Sequence, residues 1–252
     1  MSDGTNQWRR SVLSSFPIEE SRVLSFDPWL SGLLGKPSYH LPTHASPHGE
    51  PLRELAAGPA FVDAKVPTGD LAEVRRLESS GFRIVDVNVQ LAADTQSIPR
   101  LDRSEVGLAN ASDEDGVAAL AEKSFIFDRF HADPLTSPAA GPIKREWARN
   151  FFRGERGAWM VVARQHTDVI GFLQLLRGEA NLVIDLIAVN DAMRGQGLGR
   201  AMVSFAARFC GPFEYVTAGT QISNAPSLRL YECLGFTVHS SQYVMHCHRS
   251  ET

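Results

Sequence analysis

The chain of 252 residues has little cysteine, no long apolar run and no large surplus of charge of either sign. Its three cysteines, Cys210, Cys233 and Cys247, are too few and too scattered for a disulfide framework or a four-ligand zinc site. Reduced thiols and a cytoplasmic setting are therefore expected. No segment approaches the ~20 consecutive apolar residues of a membrane helix, and the opening MSDGTNQWRRSVLSS lacks the apolar stretch of a signal peptide. A net charge of −4 leaves no electrostatic footprint for nucleic acid or for an anionic membrane. Neither is expected as a partner, and a homodimer is left open. What the chain does have is 43% hydrophobic and 21% charged residues, the balance of a globular protein that buries a sizeable core as one large domain or two small ones. His246-Cys247-His248 could ligate a metal, but in an extended segment the two histidines face one way and the cysteine the other. A strand end near the C-terminus is the better reading, and no metal is expected.

Residues 92–104, AADTQSIPRLDRS, are polar without a sustained period and read as a linker. After them, EVGLA reads as a strand, and Ser112 with Asp115 as a variant capping box opening a helix that carries Val117, Leu120, Ala121 and Phe125. SFIFDRFHADPLTSPAAGP, with three prolines, reads as a loop, and IKREWARNFF as a second helix. Strands GAWMVVAR, VIGFLQLL and NLVIDLIAV follow, then RGQGLG and an apolar-striped helix. EYVTAGT is the next strand, followed by a helix through Leu234 and closing strands to His246. The order is α/β, with a meander in the middle and crossovers at the end.

One segment occurs twice. "RRLESSGF" (75–82) returns as "RLYECLGF" (229–236), and the likeness extends without a gap over residues 59–91 and 213–245. Val62/Val216, Ala64/Ala218, Arg75/Arg229, Glu78/Glu232, Gly81/Gly235 and Phe82/Phe236 are identical, whereas Leu77 stands opposite Tyr231. Any strand–helix–strand unit ending in Gly-Phe would share part of this pattern, since glycine commonly ends helices. The copies differ in what surrounds them. The helix preceding the second copy opens with Arg194-Gly195-Gln196-Gly197-Leu198-Gly199. The same spacing puts His40-Leu41-Pro42-Thr43-His44-Ala45, which has no glycine, before the first. Closely spaced glycines at a helix start expose several N–H groups at the positive end of the helix dipole, a cradle for phosphate. A tight turn needed only for packing is the alternative. Five residues separate Val189 from Gly195 and no GK[ST] follows, so neither a dinucleotide fingerprint nor a P-loop fits.

Arg194–Gly199 fits the [QR]xxGx[GA] acetyl-CoA signature of the GNAT N-acetyltransferases, and the chain resembles that family over roughly residues 104–247. The finer resemblance is to bacterial TDP-fucosamine acetyltransferases, which acetylate a 4-amino group on a nucleotide-linked deoxysugar. It rests on DRFHADP (128–134), EWARNFFRG (146–154), TQISNAPSLRLYECLGF (220–236) and the N-terminal AKVPTGDLAEVRRLESSGFRIVDVNVQL. The resemblance implies a GNAT fold with a splayed central sheet in residues 104–248, preceded by a smaller degenerate GNAT-like half-domain in residues 1–100. It implies acetyl-CoA as cosubstrate, held by Arg194, Gly195, Gln196, Gly197, Leu198, Gly199, Arg200 and Asn224, with the pantetheine arm along the main chain of Ile187, Ala188 and Val189.

Acetyl transfer to an amine needs a stabilised oxyanion, a neutral amine and a protonated leaving thiol. A main-chain N–H at Ile187 or Ala188 would serve the first. In the family, a tyrosine at the position of Tyr231 protonates the thiolate, which a phenol of pKa ~10 suits. The alternative is a half-buried helix tyrosine bonded to water. Leu77 in the first copy would then simply pack, making that copy scaffold. Asp185, amid apolar residues on the face of Val183 and Ile187, could take the amine proton, orient the amino group, or serve as a structural acceptor. Arg129, His131 and Asp133 lie in the loop where the family lines its acceptor site, Arg129 suiting a substrate phosphate and His131 a proton relay. That loop also reads as a solvent-facing connection. Trp147 and Asn150 read as packing residues. The expected function is acetylation of a nucleotide-linked amino sugar. Another small amine (an amino acid, an aminoglycoside or a protein N-terminus) and a non-catalytic acyl-CoA-binding scaffold are the alternatives.

Overall fold

The computed structural model describes residues 24–42 and 58–250. Ten strands form one sheet: β1 (Ser25–Phe26), β2 (Ser38–Leu41), β3 (Ala60–Pro67), β4 (Arg83–Asp94), β5 (Val106–Leu108), β6 (Trp159–Gln165), β7 (Asp168–Arg177), β8 (Asn181–Val189), β9 (Tyr215–Gln221) and β10 (Thr237–Arg249). Their spatial order is β1-β2-β3-β10-β4-β9-β8-β7-β6-β5. The helices are α1 (Pro28–Leu34), α2 (Leu71–Ser79), α3 (Glu114–Ser124), α4 (Arg129–Ala132), α5 (Ser137–Phe152), α6 (Leu198–Phe209) and α7 (Ala225–Glu232).

The duplicated segment is duplicated in space. Strand β3, helix α2 and strand β4 match β9, α7 and β10. Asp70 caps α2 by accepting from the Glu73 amide, and Asn224, its counterpart, caps α7 by accepting from the Ser227 amide. Both helices end alike, with the Phe82 and Phe236 amides bonded to the carbonyls of Leu77 and Tyr231 and a left-handed glycine at Gly81 and Gly235. The two units exchange their last strands. β10 lies between β3 and β4, while β4 lies between β10 and β9. Asn88 faces Gln242, its own counterpart, and every pair from Asn88↔Gln221 to Asp94↔Tyr215 is mirrored by one from Gln242↔Pro67 to His248↔Phe61. A local two-fold relation thus runs between β4 and β10, and the sheet is continuous through both parts of the chain.

Alternation places successive side chains on opposite faces. Val161 and Ala163 of β6 join α6 in one apolar cluster, and Met160 and Val162 join α3 and α5 in another. Beneath α2, Val74, Leu77 and Phe82 pack on Val62, Ala64, Met245 and Cys247. Several expected boundaries shift. Residues 92–94 continue β4 and pair with β9 instead of belonging to a linker, because the second copy offers them a partner. The capping box is formed by Asn110 and Asp113 around a short 3-10 turn, not by Ser112 and Asp115. The proline-marked loop holds α4 and the start of α5. Pro138 falls in the first turn, where its missing N–H costs nothing, and Pro142 is carried inside the helix. The closing strands are one strand, β10, whose His246 and His248 face away from Cys247's apolar cluster.

Candidate active site

The sheet parts at one point. β8 and β9 pair in parallel only from Asn181↔Tyr215 to Ile184↔Ala218, after which β8 stays on β7 and β9 stays on β4. Asp185 is the extra residue of a bulge, since Gln174 pairs with Leu186 and Leu175 with Ile184. A bulge re-aims the strand and strengthens its twist. Its effect is visible in the packing, where Leu182 and Ile184 join the α6 cluster while Leu186 and Ala188 join the α3–α5 cluster. Asp185 therefore does not share a face with Ile187, as plain alternation would have it. Beyond the bulge, the β9-facing main chain of residues 185–189 has no strand partner among the described residues.

A cavity of about 480 Å³ opens in this gap, lined by Asp185, Ile187, Ala188 and Val189 of β8, Gly219 and Thr220 of β9, and Tyr231 of α7. At one end lies the glycine turn. Gly195 (φ 77°) and Gly197 (φ 82°) adopt left-handed backbone that a side chain would strain, and Gly197 caps α6. Among the described residues, the amides of residues 195–200 have no main-chain acceptor. They are donors open to an anion. Arg194 donates to the Val189 carbonyl and pairs with Asp191, Arg103 braces the Gln196 carbonyl at 3.0 Å, and the Arg200 side chain is exposed. Arg194, Gly199 and Asn224 line the cavity, and Leu198 is buried beneath the turn. On the side of the first copy, residues 43–45 of the stretch opposite this turn lie outside the described residues.

Tyr231 is 2% exposed, its ring packed on Phe236 with centroids 5.2 Å apart. Its hydroxyl makes no hydrogen bond with the described residues, and burial pushes its pKa well above the ordinary phenol value. Leu77, its counterpart, is 1% exposed in an apolar cluster. Asp185 sits in the cavity wall with its carboxylate already engaged. It accepts two hydrogen bonds from Arg156 (both 2.7 Å), one from Trp147 Nε1 (2.9 Å) and one from Gln174 Nε2 (3.0 Å). The Glu155 and Arg156 amides turn back onto the Asn150 carbonyl, which delivers the guanidinium to this place. Trp147 thus holds Asp185 as well as packing. Arg156 carries no motif that marks it in the sequence, although EWARNFFRGER puts it one turn past the helix end.

Of the three expected acceptor residues, Arg129 alone lines the cavity, ion-paired with Asp63 and stacked 4.6 Å from the Phe130 ring centre. Its burial lowers the guanidinium pKa to about 10. His131 turns back to Asp128 at 2.8 Å. Asp133 lies away from the cavity, its Oδ2 2.7 Å from both His246 Nδ1 and His248 Nε2. Burial pushes the Asp133 pKa up, but these two bonds and the Leu135 amide outweigh it and hold the carboxyl below its usual range. The three groups bring ligand-type atoms within 4.8 Å of one another, yet both separations are those of N–H···O hydrogen bonds, and Phe61 packs edge-on against His246 and tilted against His248. Asp133 therefore ties α4 to β10 and is not among the residues that line the cavity. The first copy, expected to be scaffold, contributes Lys65, Asn88 and Gln90 to the wall. Gly219 lies opposite Gln90, whose side-chain amide would lie 2.9 Å from an added Cβ and would have to shift.

Residues 122–236 match the acetyltransferase (GNAT) family. The chain carries a GNAT acetyltransferase domain. It is 35% identical over 145 residues to the spore coat polysaccharide biosynthesis protein SpsD of Bacillus subtilis, covering 56% of this chain and 50% of that one. It is 26% identical over 186 residues to the dTDP-fucosamine acetyltransferase of Escherichia coli, covering 72% of this chain and 79% of that one. The chain thus spans half the length of the first of these relatives. A GCN5-related N-acetyltransferase of Sphaerobacter thermophilus shares the fold, with a TM-score of 0.55, 15% identity and coverage of 77% of this chain and 61% of that one. The domain's glycine turn is Arg194–Gly199, and no helix among the described residues is long and apolar enough to cross a membrane.

Proposed function

We propose that this GNAT domain is an acetyl-CoA-dependent N-acetyltransferase that acts in a ternary complex on the amino group of a nucleotide-activated, TDP-type 4-amino-deoxysugar. The observation that carries the reading is the gap between β8 and β9, which has unpaired main chain on one side, open helix-start amides at one end and the Tyr231 hydroxyl in its wall. The amides of residues 195–200 would take the CoA pyrophosphate, and the free edge of Ile187–Val189 the pantetheine arm. The amine nitrogen attacks the thioester carbonyl carbon, a main-chain N–H at Ile187 or Ala188 stabilises the oxyanion, and the C–S bond breaks as Tyr231 gives its proton to the sulfur. Asp185 is the positioning residue that fixes Trp147 and Arg156 in the wall; with four hydrogen bonds already accepted, it is not the group that takes the amine proton. That proton leaves through water.

The relatives' names support the sugar, since one is a dTDP-fucosamine acetyltransferase and the other a polysaccharide biosynthesis protein. The reading places the reaction in the cytoplasm and does not depend on whether two copies pair. It divides the chain near residues 100–104 into a half-domain and a catalytic domain that share one sheet. Release of free thiol from acetyl-CoA, measured with a panel of amines that includes a TDP-linked 4-amino sugar, tests it. Turnover with simple amines and none with the nucleotide sugar would refute the acceptor, and no turnover with any amine would refute the activity.

A further inference from the structure

The acceptor end of the cavity holds cations that the fold does not neutralise. Arg129 is paired with Asp63 and Arg156 with Asp185. Asp128 is engaged by two main-chain amides and His131. Lys65 of β3 and Lys144 of α5 also line the cavity, and neither makes an ion pair or hydrogen bond with any described residue. Lys144 is 7% exposed, its ammonium 4.7 Å from the Trp147 ring centre and 5.2 Å from that of Phe125. Lys65 is half-buried, and both lysines feel the charges of Arg156 and Asp185, so they lie on two walls of the same compartment. Burial lowers both ammonium pKa values, outweighing the attraction of Asp185 for both lysines and of Asp128 for Lys144, while Arg156 repels both. A buried unpaired charge is costly, and a chain of net charge −4 has no general need to place cations here.

We propose that Lys65 and Lys144 form an anion-binding subsite that takes a phosphate or carboxylate group of the acceptor, with the first copy of the repeat supplying one jaw. It rests on the acetyl-transfer reading for the cavity's occupant, and it makes β3 a determinant of acceptor specificity. Two ammonium groups on opposite walls hold an anion's oxygens by charge-assisted hydrogen bonds and turn away neutral amino sugars. The glycine turn, at the other end, is left to the cosubstrate.

The test uses the full chain with thymidine diphosphate and, separately, a hexuronic acid as inhibitors, each varied against the amine and against acetyl-CoA. A phosphate-type subsite predicts that the diphosphate competes with the amine and remains an inhibitor at saturating acetyl-CoA. A carboxylate-type subsite gives that pattern for the uronic acid. Lys65→Met and Lys144→Met should each weaken the competing anion roughly 10-fold or more, the usual worth of a hydrogen bond to a charged group, and leave acetyl-CoA affinity unchanged. Lys65→Arg should restore most of the loss, which a merely structural role would not produce. Circular dichroism verifies folding, and the wild-type competition stands even if one Met variant fails to fold. Anion inhibition that is unaltered in a folded Met variant, or that competes only with acetyl-CoA, overturns the subsite while leaving acetyl transfer standing. Lysine-dependent anion binding without acetylation of any amine upholds the subsite and overturns the transfer reading.

Discussion

Replacing Tyr231 by Phe removes one oxygen from a side chain that is 2% exposed and rests on Phe236. The hydroxyl has no protein partner among the described residues, so no buried donor or acceptor is orphaned and the stability cost should stay below about 1 kcal/mol. The chemical cost is larger. A general acid is worth ~10²–10⁴-fold, or about 3–5 kcal/mol of barrier at ~1.36 kcal/mol per tenfold. kcat should fall by that factor while acetyl-CoA affinity and acceptor KM hardly move, because the ring still fills its place. Burial raises the phenol pKa, so wild-type kcat should show no fall from Tyr231 ionisation up to about pH 10. Leu77→Tyr in the first copy supplies the matched control. Leu77 sits at 1% exposure among Val62, Val74 and Met245, so the larger ring should cost ~1–3 kcal/mol of stability and rescue no activity in a Tyr231→Phe background. Steady-state thiol release and thermal melts read all of this. A Phe variant within threefold of wild type would remove Tyr231 from the chemistry and leave the acetyl-CoA site in place.

Gly197→Glu puts a Cβ and a carboxylate on backbone at φ 82°, where the pyrophosphate would lie; acetyl-CoA affinity measured by calorimetry should drop at least 100-fold, with ~1–2 kcal/mol lost from stability. Asp185→Asn should lower activity less than Tyr231→Phe and leave the pH profile of kcat/KM unshifted, whereas loss of a limb of that profile would restore Asp185 as the base. Arg129→Ala should raise acceptor KM and lower the melting temperature, because Asp63 loses its guanidinium; a change confined to acetyl-CoA binding would mean that α4 faces the wrong ligand. His246 has its pKa lowered to about 4 by burial, so between pH 6.5 and 4 the unfolded chain binds the extra proton and the residue's contribution is lost as pH falls. Asp86, raised to about 6 by burial, acts in the opposite direction as it takes up a proton on acidification. The stability gap between wild type and His246→Gln should therefore narrow from pH 7 to pH 4, and a constant gap in urea titrations would refute the burial argument.

The parts of the site that were legible in the sequence are those written in backbone chemistry. Glycines 195, 197 and 199 announce a turn with open amides at a helix start, and Gly195 and Gly197 take the left-handed backbone that few other residue types tolerate. What could not be read was set by partners distant in sequence. Asp185 reads as a lone carboxylate in an apolar strand because Trp147, Arg156 and Gln174 come from α5, the segment after it and β7, and no local period signals a bulge whose register is fixed by β7. The capping box moved from Ser112 to Asn110 for a similar reason, since Arg164 holds Asp113 from β6.

The repeat shows the same limit most clearly. Comparing two copies of 33 residues sets Tyr231 against Leu77, yet it treats each copy as folding on itself. In the sheet each copy's last strand pairs between strands of the other, and the register Asn88↔Gln242 makes that exchange symmetric. Exchange carries the first copy's β3 and β4 to the cavity built by the second, so a copy without a glycine turn or a tyrosine still lends it Lys65, Asn88 and Gln90. The two copies have divided the work by face. Their Leu77 and Tyr231 helices lie over clusters on one face, and β3 and β4 present polar side chains on the other, where α4 and α5 close the compartment. A substitution on the face of β3 that packs under α2, at Val62 or Ala64, should therefore alter only stability, and one at Lys65 should alter the acceptor. That asymmetry within one strand follows from the alternation of the pleat and from nothing else in the chain.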